Sequence, residues 1–138
     1  MKSILEYIKK TKTSEYYHDG IEPVYYKNRL VGIRITEGDV SFVLDAVEYM
    51  PLKWNDAVKT VETYDGCTLP TREQCGLIYK YQDQINEFVS SKSLDFNKIY
   101  DTNIWINEPF RSFSFKTDSF YLEGKYVSNF VRKIRPEK

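Results

Sequence analysis

Little in this 138-residue chain offers reactive chemistry. It holds one histidine, His18, and two cysteines, Cys67 and Cys75. Two cysteines cannot build a disulfide framework, and this pair, flanking the start of an expected helix, reads as two reduced thiols. A metal centre needs more converging ligands than a remote histidine and two thiols supply, so neither metal nor cofactor is expected. An excess of one charge is missing too: 20 basic and 20 acidic residues sum to zero. A nonspecific nucleic-acid binder would carry a basic surplus. Long apolar runs are also absent, since nothing approaches the ~20 residues a bilayer span needs. MKSILEYIKK lacks the apolar core of a signal peptide. The expectation is a protein made and kept in the cytoplasm, or carried out only in a virion or by lysis, with no nucleic acid or membrane insertion.

What the chain does have is aromatic side chains: 12 Tyr, 8 Phe and 2 Trp, or 16% of the residues. At this length one domain with a real core is expected. Ile4, Leu5 and Ile8 share a helical face, so residues 1–20 predict a short helix and a turn at Asp19-Gly20. Residues 23–44 read as a hairpin: Val24 and Tyr26 alternate, Lys27-Asn28-Arg29 turns, Leu30–Thr36 returns, and VSFVL follows a second turn at Glu37-Gly38-Asp39. The period then becomes helical, with Trp54, Ala57, Val58 and Val61 on one face and Gly66 ending the segment. A second helix begins at about Thr71, with Leu77, Ile78 and Tyr81 on its apolar face. Ile85, Phe88 and Val89 mark a further turn or a second short helix, and Ser90–Ser93 a loop, so residues 52–90 carry the helices. Period two resumes over 104–136, in IWI, FRSFSFK, SFYLEGK and NFVRKIRP, which predicts an antiparallel meander of three or four strands. Segregated helices and strands make the class α+β.

The stretch DGCTLPTREQC marks a corner. Pro70 disfavours helix at Leu69, Thr71 is placed to cap, and Gln74 three residues on completes a capping box. These roles are structural and imply no nucleophile–base pair. Trp54-x-x-Ala57, Gly66-x-x-Leu69-Pro70-Thr71-x-Glu73, Trp105 and Val131-Arg132-x-x-Arg135 together resemble the Lcl-type family of bacterial and phage domains. The resemblance spans roughly residues 40–136. It implies a C-type-lectin-like fold: two main helices packed on an antiparallel sheet, with the N- and C-terminal strands together. Variable proteins of diversity-generating retroelements are related at the level of fold, and they display a ligand-binding face built from the C-terminal half. The chain departs from the family where Cys67-Thr68 replaces Trp-Arg and where Trp105-Ile106-Asn107 replaces Trp-Ser-Ser. The Trp54-Asn55-Asp56 triplet and Glu108-Pro109 look like pieces of calcium-lectin motifs, but their order is reversed and six converging oxygens are not in sight.

The resulting expectation is a non-enzymatic interaction module that recognises a protein or glycan partner, with a virion, a surface or a homo-oligomer as its setting. Candidate contact residues are Tyr25, Tyr26, Asn107, Phe110, Arg111, Tyr121 and Tyr126, because rigid aromatic and adaptable polar side chains suit recognition surfaces. Phe113, Phe115 and Phe120 read as cross-strand core. Structural roles fall to Trp54, Ala57, Leu69, Pro70, Thr71, Gln74, Trp105 and Arg132, with Arg132, Lys133 and Arg135 placed along a solvated strand end. Two alternatives stay open: a self-assembling structural subunit, and a hydrolase using carboxylates such as Glu73 and Asp95. His18-Asp19 is read as an exposed turn.

Overall fold

The computed structural model describes residues 19–92 and 96–137. The expected N-terminal helix, His18 and Asp95 lie outside the described residues. Three strands come first among the described residues: β1 (Gly20–Tyr26), β2 (Arg29–Glu37) and β3 (Val40–Lys53). The first turn falls on Lys27 and Asn28, both at positive φ, 49° and 65°. Such a two-residue turn matches the right-handed twist of the flanking strands. Helix α1 (Trp54–Glu62) and helix α2 (Arg72–Lys92) follow, then β4 (Asn103–Trp105), β5 (Arg111–Ser114), β6 (Ser119–Leu122) and β7 (Ser128–Glu137).

All seven strands form one sheet, in the order β1-β2-β3-β7-β4-β5-β6. This overturns the expected C-type-lectin-like arrangement of two main helices on an antiparallel sheet. The described residues are 45% strand against 25% helix, so a single sheet dominates. That sheet is mixed, because β7 meets β4 in parallel at Ile104↔Phe130. The last strand does not continue the meander. It returns to the centre and runs antiparallel to β3, so the closing strand lies beside β3 while β1 forms an edge. Nor do the helices make a common layer. Along β4, Ile104 and Ile106 join one core cluster and Trp105 the other, and along β7 Ile134 and Val131 divide the same way. Successive residues of a strand point to opposite faces, so the two clusters lie on opposite sides of the sheet.

Helix α2 covers one side. Cys75, Ile78, Tyr81, Ile85 and Val89 pack there on Ile33, Ile35, Phe42, Leu44 and Ile134. It is one continuous helix of 21 residues, not two, and it runs through Ser90 and Ser91. The capping box forms as its sequence implies. The Gln74 amide donates to Thr71 Oγ1 at 3.2 Å, and the Thr71 amide donates to Gln74 Oε1 at 2.9 Å. The corner before it is pinned to β7 by reciprocal Thr68–Ile134 bonds of 2.9 Å, and Asn107 donates to the Pro70 carbonyl at 2.8 Å. On the other side, α1 sets Ala57 and Val61 against Leu69, Trp105 and Val131. Trp105 is fully buried, and its indole N–H donates to the Leu52 carbonyl at 2.6 Å.

Strand β3 is interrupted twice against β7, between Leu44 and Glu48 and between Tyr49 and Leu52. At the first bulge the freed backbone groups find other partners, as buried peptide groups must. Arg132 donates from Nε to the Asp45 carbonyl at 2.8 Å and from Nη2 to the Asn97 carbonyl at 2.7 Å, and it stacks on Phe96. The Glu48 amide donates to Asn97 Oδ1 at 2.9 Å, and the Asn97 amide donates to the Ala46 carbonyl at 2.8 Å. The expected solvated position of Arg132 is therefore corrected. It is 3% exposed and bonds carbonyls, and burial draws its pKa down to about 10 against the pull of Glu48 and Asp45. Glu48 moves the other way: burial raises its pKa despite Arg132.

Candidate functional site

Helix α1 covers only the Trp105 end of its side of the sheet. Beyond its last turn, strands β1, β2, β3 and β7 leave a cleft of about 530 Å³, which adjoins a second of about 480 Å³. The two share Tyr26, Val31, Asp45, Tyr64 and Lys133. Four of the ten large hydrophobic side chains exposed among the described residues lie here: Tyr26, Val31, Val47 and Tyr64. Apolar side chains gathered in one depression are a stronger feature than the same residues scattered singly over a surface.

The floor is polar and fixed. Period two along β7 sets Val131 and Lys133 on the same side, and Lys133 enters the cleft only 7% exposed. Its Nζ donates to Asp45 Oδ2 at 2.8 Å and to the Tyr49 hydroxyl at 3.0 Å. It also lies over two rings, 4.1 Å from the Tyr64 centroid and 5.1 Å from that of Tyr49. Asp45 is positioned by the bulge, where its carboxylate also accepts the Val47 amide at 3.0 Å. Burial presses on the Lys133 cation, but the hydrogen bonds to Asp45 and Tyr49 outweigh it and hold the amine above its ordinary range. Burial and the Tyr64 hydrogen bond raise Tyr49, and Lys133 only partly offsets them. At neutral pH the pair is an ammonium and a phenol. The ammonium is held by the Asp45 carboxylate and the phenol, so all three groups are fixed in place.

A second ion pair lies deeper on the same side. Arg34 of β2 donates to Glu137 through Nε at 2.5 Å and Nη2 at 2.9 Å, with Glu22 at 3.8 Å. A two-pronged guanidinium–carboxylate contact fixes both groups. Cys67, partly exposed, forms part of the wall, whereas Cys75 is fully buried. Burial, then nearby Glu108, drives the Cys75 thiol far above its ordinary pKa, which keeps it protonated and unreactive.

Of the contact residues expected from sequence, only Tyr25 and Tyr26 line the cleft. The others lie toward the opposite edge of the sheet, around β5 and β6. Phe110 sits at positive φ (57°) with its ring 5.4 Å from that of Trp54. Asn107 is exposed, and Arg111 is partly buried and donates to the Pro109 carbonyl at 3.4 Å. Tyr121 bonds Thr117 at 3.0 Å, and Tyr126 is 75% exposed between Lys53 and Lys125. Phe113 and Phe115 are buried core, edge to face at 5.0 Å, with Phe120 half-buried beside them. Glu73 is an exposed residue of the first turn of α2. Sequence reasoning did not single out Asp45, Tyr49, Tyr64 or the inward Lys133. Their signal lies in the shared parity of Val131 with Lys133 and of Asp45 with Tyr49.

No family model, curated protein or solved structure matches the chain. No described helix is long and apolar enough to cross a membrane, and no metal-holding group of His, Cys, Asp or Glu occurs among the described residues.

Proposed function

We propose that the chain is a non-enzymatic recognition module and that the tyrosine-lined cleft receives a segment of a protein partner. One observation carries this reading: exposed Tyr26, Val31, Val47 and Tyr64 converge over an ion-paired floor of Lys133, Asp45 and Tyr49. Aromatic anchors around a preformed apolar depression are the usual centre of a protein interface. A glycan fits less well. Sugar hydroxyls call for amide and carboxylate partners, yet among the described residues no Asn, Gln, Ser or Thr lines either cleft. Its two carboxylates, Asp45 and Glu137, are held by Lys133 and Arg34. The reading is indifferent to setting, because a partner in the cytoplasm, in a virion or at a surface would meet the same chemistry.

Panning a displayed random-peptide library against the intact chain tests this, with Tyr26→Ala/Tyr64→Ala as the comparison. Both side chains are exposed, so the fold is retained. The expected result is convergent peptides that bind the wild type and lose at least about tenfold in affinity on the variant. Convergent peptides indifferent to both tyrosines would sink the reading.

A further inference from the structure

We infer that the segment taken by this cleft is acidic, with an apolar or aromatic side chain set between carboxylates. The inference rests on the cleft being the binding site and adds the chemistry of the partner. Charge complementarity carries it. Two of the cations lining the cleft are matched internally, Lys133 by Asp45 and Arg34 by Glu137. Two others are not: Lys27 and Arg135 line the cleft, are exposed, and form no ion pair with any described residue. Lys27 leans on the Tyr26 ring at 5.4 Å, at the rim. Arg135 follows Lys133 by two positions on β7 and so projects from the same side. Cations therefore stand at the rim, beyond an apolar lining of Val24, Val31, Val43 and Val47. The floor is closed to further ion pairing, so an entering carboxylate would meet Lys27 and Arg135 at the rim while an apolar side chain between carboxylates would enter the depression. A basic segment would set like charges together, which costs affinity and slows encounter.

Fluorescence anisotropy on the full chain separates the outcomes. Three synthetic peptides alternate Phe and Leu with Glu, with Gln or with Lys. The Glu peptide is expected to bind about tenfold or more tighter than the Gln peptide at low salt, and this advantage should shrink toward nothing at about 0.5 M salt. K27E/R135E should erase the preference, and Tyr64→Ala should weaken both the Glu and Gln peptides. Equal binding of the Glu and Gln peptides, both weakened by Tyr64→Ala, overturns the acidic preference and leaves the cleft in place. Glu-peptide binding untouched by Tyr64→Ala overturns the cleft as the site. Failure of every peptide, with capture of a sulfated oligosaccharide instead, overturns the peptide partner altogether.

Discussion

Removing either end of the Lys133–Asp45 pair strands the other, and the two strandings should differ in cost. In Lys133→Met the orphan is Asp45, whose side chain is 24% exposed and still accepts the Val47 amide. Breaking a fully buried pair costs about 3–5 kcal/mol, but solvent reaches this carboxylate. The lost charged hydrogen bonds and the ring contact with Tyr64 are offset in part by methionine packing, which leaves about 2 kcal/mol. In Asp45→Ala the orphan is Lys133, whose side chain is only 8% exposed. A phenol and two rings remain to it, and about 3 kcal/mol is expected. Together the substitutions should cost less than their sum by about 1–2 kcal/mol, as for groups in direct contact. Urea unfolding at neutral pH measures this, with the m-value checked for constancy so that a shift in midpoint reports stability alone. If Lys133→Met proves the costlier change, or the two costs simply add, the floor of the cleft is not the coupled ion pair described above.

Three further outcomes follow from the same geometry. Trp105→Phe keeps most of the ring but leaves the Leu52 carbonyl without its indole donor, so it should cost about 1–3 kcal/mol, against about 3–5 for Trp105→Ala, both by urea unfolding. A Cβ at Gly32 would lie 2.6 Å from Val43 Cγ1 and 2.8 Å from the Leu44 carbonyl oxygen. Backbone cannot yield, so Gly32→Ala should lower the midpoint by about 1–3 kcal/mol worth of stability. Lys133 and Tyr49 both have pKa values raised on folding, from ordinary values of 10.5 and 10.0. The folded state then holds their protons more tightly, so their contribution is whole below about pH 10 and is lost as pH rises through the folded values. Thermal melts from pH 8 to 11 should show that decline, and Lys133→Met should remove the Lys133 share of it while the Tyr49 share remains.

Local chemistry was legible wherever one stretch of chain decides the outcome. The Lys27-Asn28 turn, the period-two strands around it and the Thr71–Gln74 box all form as their residues imply. The position of β7 was not legible. NFVRKIRP alternates equally well as the last strand of a meander or as a central strand, and only pairing with distant β3 selects the second. The end of α2 misled for a related reason. Ser90 and Ser91 favour a loop by propensity, yet Val89 is buried in the core one residue earlier and carries the helix on. Arg132 was the sharpest local surprise. An arginine on a terminal strand belongs in solvent unless a bulge leaves carbonyls to satisfy, and the bulge in β3 has no sequence mark of its own.

The open cleft follows from a mismatch between sheet and helices that the sequence does contain. VSFVLDAV is apolar on both alternating faces, with Phe42, Leu44 and Ala46 on one and Val43 and Val47 on the other, which ordinarily signals a strand covered twice. Seven strands span roughly 29 Å across six spacings. A 21-residue α2 is about 31 Å long and can cross one side completely. A nine-residue α1 is about 14 Å long and can cover no more than about half of the other. Once Trp54, Ala57 and Val61 are committed to Trp105, no described helix is left for Val31, Val43 and Val47. The sheet therefore carries more apolar surface than the described helices can bury. The tyrosines and the Lys133–Asp45 pair border that surplus, which stays partly exposed to water among the described residues.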